Sequence, residues 1–362
     1  MSEYLEMPPL IDVHVHCRTP GQEEKEDFTT AAQAALAGGV ITILDMPNNK
    51  KLIDSLERLE EKKEMARKTA VCDMGFYLGT LGDPDQNFAE AEPEVFGVKI
   101  YLGETTGGFI IRDPYKLEQY VFRPWDFAKP ILAHVEGDTL ATALLLAEKY
   151  DRQIHICHVS LASEVDQIRR AKMKRGDKIT AEVTPHHLCL SKLRSPHPYG
   201  QMKPPLSAFS DMHVLWEAVR DGTIDIIATD HAPHTKAEKL GNQPPSGVTG
   251  LETMLPLLLM AERAGEISLE RIKEMTHYNP MRIFNIPEQP NSYVLVDQDV
   301  DWKIQGEKLQ TKPHLTPFEG ETMMDQVKEV VLRGKTVYRR AEYPTLSFFQ
   351  KPGSGKVLPF SA

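Results

Sequence analysis

What this sequence lacks narrows it first. Four cysteines in 362 residues, at positions 17, 72, 157 and 189, are too few and too scattered for a disulfide framework. Free thiols in a cytoplasmic protein are the expectation. No run of 18 apolar residues occurs, so no membrane-spanning helix is expected. The opening stretch, MSEYLEMPPLIDVHVH, has neither a basic segment nor an apolar one, which argues against a secretory signal. Basic residues are outnumbered: Lys+Arg 42 against Asp+Glu 52 gives a net charge of −10. A dedicated nucleic-acid binder or membrane-surface protein is therefore not expected. Internal repeats and coiled-coil heptads are absent as well.

What remains is a globular chain with 41% apolar and 26% charged residues. Short apolar runs at 10–16, 40–46, 71–78, 97–102, 131–135, 154–159, 179–183 and 224–230 alternate with stretches of helical periodicity. The helical stretches are 27–37, 52–70, 115–127, 139–149, 162–174, 211–221 and 251–263. Eight buried-looking strands alternating with helices predict an α/β fold, a (β/α)8 or TIM barrel. An open doubly wound sheet is the alternative. The third gap, 79–93, holds Gly, Asp and Pro, so its helix should be weak or missing. Long loops are expected at 191–210 and 231–250. After residue 284, 294–296 and 327–338 alternate apolar and polar residues and read as antiparallel strands. Joined by the residues before Pro9, they would form a small β satellite from the chain ends. The expected division is 10–284 for the barrel and 1–9 plus 285–362 for the satellite and tail.

The chemistry-bearing residues sit at the ends of the apolar runs. Asp12-Val13-His14-Val15-His16 puts two imidazoles at i and i+2, on one face of a strand at its C-terminal end. In a barrel that end carries the active site, and imidazole is the commonest metal ligand. Lys99 interrupts an apolar strand. A buried ammonium titrates easily, and its neutral amine can add carbon dioxide to give a carbamate, an anionic oxygen ligand. His134 ends the fifth run, His158 the sixth and Asp230 the eighth. Histidines or carboxylates at four strand ends, with a lysine on another strand, point to a metal centre.

This constellation resembles the binuclear metal barrel of the amidohydrolase superfamily. The segments DVHVHCRTPG, DMPNN, GVKIYLGET, ILAHVEG, IHICHVS, EVTPHHL, TDHAPHT and GLETMLPLLL are similar, in order, to dihydroorotase from residue 10 to about 260. NPMRIFNIP and TPFEG…VLRGKTVY extend the similarity to about 338. The wording is nearest the dihydroorotase domain of the animal multifunctional pyrimidine protein CAD. A chain this short suggests a stand-alone enzyme.

The resemblance implies a role for each matching residue. His14, His16 and Asp230 would hold one zinc, and His134 and His158 a second. Carbamylated Lys99 would bridge the two. A zinc-activated hydroxide would open dihydroorotate, with Asp230 as general acid and base. In the biosynthetic direction the same groups would close N-carbamoyl-L-aspartate, a step of de novo pyrimidine synthesis. Arg18, Asn48 and His234 would bind the substrate carboxylate, and Ser246 and Gly247 the ring edge. A third zinc would use Cys157 and Glu182. The competing reading makes Glu182 a carboxylate that orients a histidine.

Two positions depart from the family pattern. After Thr105, which would still touch substrate, stands Thr106-Gly107-Gly108 where the CAD domain has an aromatic, implying a looser lid. Lys203 stands where relatives carry arginine or asparagine, so it offers charge to a carboxylate without a planar fork. His155, His186, His187 and His231 read as structural, and His197, His213, His277 and His314 carry no signal.

Two other functions compete. Another cyclic amidohydrolase, of the hydantoinase or dihydropyrimidinase type, would not need Arg18. A catalytically inactive scaffold for a partner aspartate transcarbamoylase should have lost metal ligands. Relatives imply a homodimer or larger assembly.

Overall fold

The computed structural model describes residues 4–194, 199–340 and 347–359. His197 lies outside them. A short strand, Tyr4–Met7 (β1), precedes a parallel wall: Leu10–Val15 (β2), Val40–Asp45 (β3), Asp73–Phe76 (β4), Leu78–Gly79 (β5), Val98–Tyr101 (β6), Ile131–His134 (β7), Ile154–Ile156 (β8), Ile179–Val183 (β9) and Ile226–Ile227 (β10). Every residue of β2 to β10 is buried, as expected of strands covered on both faces.

β2–β3–β4 form one arc and β5 to β10 the other. β4 and β5 are one path through the wall, interrupted at Tyr77, whose hydroxyl donates to the Val13 carbonyl at 2.9 Å. A parallel bridge between Val15 and His231 closes the circle. The same seam is stitched by a carboxylate. Asp12 accepts from the Thr229 amide at 3.2 Å and the Thr229 hydroxyl at 2.5 Å. This closes the (β/α)8 barrel, and the open-sheet alternative falls away.

The outer helices are Phe28–Ala37 (α1), Leu56–Thr69 (α2), Asp138–Lys149 (α3), Ala162–Arg175 (α4), Phe209–Asp221 (α5) and Met254–Arg263 (α6). Local chemistry sets their starts. The Asp27 side chain accepts from the amides of Thr29 and Thr30 at α1, and Ser55 from that of Arg58 at α2. The Ser55 cap is why the second helix begins at 56 and not 52. The helix expected over 115–127 is a short turn, Pro114–Leu117, running into a π-helical turn, Glu118–Phe122. Pro114 opens it, and Pro124 cannot continue it. The weak third gap carries only Phe88–Ala91 and a following 3-10 turn. The eighth strand is two residues long, and Asp230 follows it with a left-handed φ of 46°.

Beyond the barrel lie Tyr293–Asp297 (β11), Trp302–Lys303 (β12), Thr322–Met323 (β13), Gln326–Leu332 (β14), Lys335–Arg339 (β15) and Ser347–Phe348 (β16). β1, β11, β14, β15 and β16 make one antiparallel sheet, with Met7 opposite Val294. Its inner residues Val294, Val296, Val330 and Val337 share a core with Leu10 and Leu36 of the barrel. Among the described residues no helix is long and apolar enough to cross a membrane.

Candidate active site

The C-terminal ends of the strands converge on one cleft. It is lined by His14, His16, Arg18, Asn48, Lys99, Tyr101, Thr105, Thr106, His134, His158, Lys203, Asp230, Ala232, Ser246 and Gly247. Period-2 alternation on β2 aims His14 inward and places His16 one step beyond the strand. His16 Nε2 lies 3.0 Å and His14 Nε2 3.4 Å from Asp230 Oδ1. Across the cleft His134 Nδ1 lies 2.8 Å from His158 Nε2. The His14 and His158 rings are 5.3 Å apart, so the two pairs share one space.

Three of the expected site residues do not line the cleft. Cys157 and Glu182 lie beneath it, and His234 sits behind Arg18. Lys99 Nζ donates to Cys157 Sγ at 2.8 Å, and among the described residues no carboxylate pairs with this buried ammonium. Glu182 touches His14 Nδ1 and lies 3.1 Å from His155 Nε2. His155 is thus a partnered core residue, also bonded to Thr180 Oγ1 at 2.9 Å. His187 bridges Thr184 and the Pro204 carbonyl, and His231 accepts from the Gly250 amide.

Three residues at the mouth hold left-handed backbone: Arg18 (φ 64°), His158 (φ 36°) and Asp230 (φ 46°). That conformation is strained for side chains of this kind and gathers at functional sites.

Burial governs the ionisation. It lowers His14 and His134, and lowers His16 and His158 well below the usual imidazole range, with Arg18 adding to His16 and His134 to His158. Each of these shifts favours the neutral imidazole, which is the form that ligates a cation. Burial raises Asp230, against the opposing pull of His14 and Lys99. It also pushes Cys157 up to about 12. At Glu182 burial acts upward but His14 and His155 outweigh it, so the carboxylate is held below its usual range.

The donors present fit divalent cations. His158 Nδ1 is buried with no hydrogen-bond partner among the described residues, a costly state for a polar atom unless something fills it, while His134 Nε2 faces only Glu136 Oε1, 3.3 Å away. One ligand atom each from His14, His158 and Asp230 falls within 4.8 Å of the others, and so does one each from His14, Cys157 and Glu182.

Several supporting residues carried no signal in the sequence. Tyr101 lines the cleft with a buried hydroxyl that has no hydrogen-bond partner among the described residues. Lys62, from α2, reaches Asp45 Oδ2 at 2.7 Å, the Met46 carbonyl at 2.8 Å and Asn49 Oδ1 at 2.9 Å, bracing the turn that carries Asn48. Glu26 takes the Thr311 hydroxyl at 2.7 Å. Lysines on amphipathic helices normally face water, so only the packing could single out Lys62.

Comparison with known proteins finds similarity in both sequence and fold. A family model described as dihydro-orotase-like matches residues 4–91. The chain is 41% identical over 337 residues to the multifunctional protein CAD of Squalus acanthias, covering 92% of this chain and 15% of that one. The multifunctional protein pyr1-3 of Dictyostelium discoideum is 39% identical over 340 residues, with 93% of this chain and 15% of that protein covered. The chain therefore spans 15% of the length of either multifunctional relative. Dihydroorotase of Halobacterium salinarum is 34% identical over 378 residues, covering 93% of this chain and 87% of that one. In fold, the L-hydantoinase (dihydropyrimidinase) of Arthrobacter aurescens matches with a TM-score of 0.91 at 22% identity, over 98% of this chain and 89% of the other.

Proposed function

The chain belongs to the dihydroorotase family, and on that premise we propose that it interconverts N-carbamoyl-L-aspartate and L-dihydroorotate in pyrimidine biosynthesis. The observation that carries this reading is the close approach of Arg18 Nη2 and His234 Nε2, 3.2 Å apart, beside a cleft that holds four histidines. A ring substrate without a carboxylate has no use for that pair, which disfavours the hydantoinase alternative.

His14, His16 and Asp230 would hold one zinc and His134 and His158 a second, with Lys99 as its carbamate between them. Bound there, the cations supply Lewis acidity, polarising the carbonyl at the reacting carbon and acidifying water. Arg18 and His234 grip the α-carboxylate and Asn48 hydrogen-bonds the same end, which orients the ureido nitrogen toward the side-chain carboxyl carbon. Asp230, raised by burial, takes the proton from that nitrogen as the ring bond forms and returns it to the departing oxygen. In hydrolysis the same carboxylate moves a proton to the leaving nitrogen. Ser246 and Gly247 meet the ring edge. Thr105 and Lys203 stand at the mouth, where Lys203 Nζ lies 3.3 Å from Glu104.

The cluster of His14, Cys157 and Glu182 supports a second reading of the metal content, with a third zinc. The Glu182 contacts on His14 Nδ1 and His155 Nε2 support the two-zinc reading, in which Glu182 orients His14 as a hydrogen-bonded carboxylate. We place the enzyme in the cytoplasm as a homodimer or larger assembly, with aspartate transcarbamoylase as a further partner.

The test is one assay on zinc-replete protein. Dihydroorotate hydrolysis and carbamoyl-aspartate cyclisation are followed by ultraviolet absorbance, with hydantoin and dihydrouracil alongside and metal counted per chain. Turnover of dihydroorotate alone, with two or three zincs, is expected. Preference for hydantoin or dihydrouracil would overturn the assignment. Full metal with no turnover of any substrate would favour the scaffold.

A further inference from the structure

The Arg18 and His234 pair raises a question of proton placement, because the two imidazole nitrogens between them face polar atoms of three neighbours, Lys25 at Nδ1 and Arg18 and Ser246 at Nε2. His234 Nδ1 lies 3.3 Å from Lys25 Nζ. An ammonium donates and never accepts, so Nδ1 must present its lone pair. His234 Nε2 lies 2.9 Å from the Ser246 carbonyl oxygen, an acceptor, so Nε2 carries the proton. The opposite tautomer would point an N–H at the ammonium. Its nearest carboxylate oxygen, Glu238 Oε2, is 3.8 Å away, and the Ser246 carbonyl would lose its donor. Protonation on both nitrogens offers no escape, because burial, then Arg18 and Lys25, push the imidazolium down to about 2.

Lys25 is itself held. Its ammonium pairs with Glu238 Oε1 at 2.8 Å. Glu238 in turn accepts from the Thr235 amide and hydroxyl, both at 3.0 Å. Arg18 is fixed independently, its Nε donating to the Pro233 carbonyl at 3.0 Å. With Nε2 protonated, Arg18 Nη2 finds no acceptor on His234, and the Nε2–H is held by the Ser246 carbonyl, which a substrate carboxylate would have to replace as its acceptor. A single carboxylate that did so would take both donors.

We propose that Lys25, anchored by Glu238, is a positioning residue that holds His234 as its Nε2–H tautomer, so that Arg18 and His234 act as paired donors to one substrate carboxylate. The identity of that carboxylate rests on the dihydroorotase reading. The tautomer rests on geometry alone.

The experiment uses the full chain, zinc-replete and labelled with 15N-histidine, with His234 identified by difference against His234→Gln. Long-range proton–nitrogen correlation then reads which ring nitrogen is protonated. The wild type should show Nε2–H. Lys25→Met should show a tautomer mixture, an unchanged zinc content, a KM for dihydroorotate raised about tenfold and a kcat within about twofold. Lys25→Arg, another donor that cannot accept, should restore both signals. A merely structural lysine would not move the tautomer or split KM from kcat. Wild-type His234 protonated at Nδ1, or Lys25→Met with the wild-type KM, overturns the proposal. Absence of dihydroorotate turnover in the wild type would sink the functional reading, while the nitrogen spectrum still decides the role of Lys25. If Lys25→Met fails to fold, Glu238→Gln, which frees the ammonium at a more open position, reads the same signals.

Discussion

Lys62 Nζ and Asp45 Oδ2 meet at 2.7 Å beneath the active-site loops, with side chains 0% and 1% exposed. Asp45 also takes the Cys17 amide at 2.8 Å, one residue before Arg18. One ion pair thus supports both the loop bearing Arg18 and the turn bearing Asn48. Removing one partner from such a pair strands a buried charge. Lys62→Met should cost about 3–5 kcal/mol in denaturant unfolding. The double variant with Asp45→Asn should recover a good part of that. A single variant as stable as wild type would show that Asp45 is not relying on Lys62.

Lys99→Ala should lose most activity and part of the bound zinc, because the bridging ligand would be gone. Metal analysis and rate are measured on the same sample. A variant with a near-normal rate and two zincs would refute the bridging role.

Arg18→Gln should keep its zinc and raise KM for dihydroorotate by roughly ten- to a hundredfold, the loss expected for a charge-assisted hydrogen bond of about 1.5–3 kcal/mol. Zinc falling together with affinity would mean that Arg18 has been given the wrong role.

Glu252 lies outside the active site and predicts a pH effect on stability. Burial pushes its carboxyl from 4.5 up to about 8, although it accepts from the amides of Gln310 at 2.7 Å and Thr311 at 3.2 Å. Its folded pKa exceeds the unfolded one, so between those values the native state holds a proton that the unfolded chain has released. The contribution is full below pH 4.5 and is lost as pH rises toward about 8. Glu252→Gln, always neutral, should gain stability relative to wild type across that window, by at most about 1.4 kcal/mol per pH unit. Parallel pH profiles for the two proteins would contradict it.

The barrel was readable because its cause is local. Buried parallel strands need continuous apolar runs, and their lengths and spacing stand in the chain. The mouth residues His14, His16, Lys99, His134, His158 and Asp230 were readable for a related reason: each sits at a fixed offset from such a run, and period-2 alternation gives its face. The start of α2 was misplaced because Leu52 and Ile53 are buried as loop residues that pack like helix residues, and only the Ser55 cap separates the two.

By itself, then, the sequence determined the strand and helix order, the side chains delivered to the mouth and the chemistry they resemble. The tertiary structure alone decided which groups support them. Asp12 on Thr229, Lys62 on Asp45, Glu182 under His14 and Lys25 beside His234 join residues 217, 17, 168 and 209 positions apart. The φ of 64°, 36° and 46° at Arg18, His158 and Asp230 belongs to the same class. Non-glycine residues do not choose the left-handed region on local preference. The closed barrel imposes it, because turning the chain sharply at a strand end is what brings these side chains into one cleft.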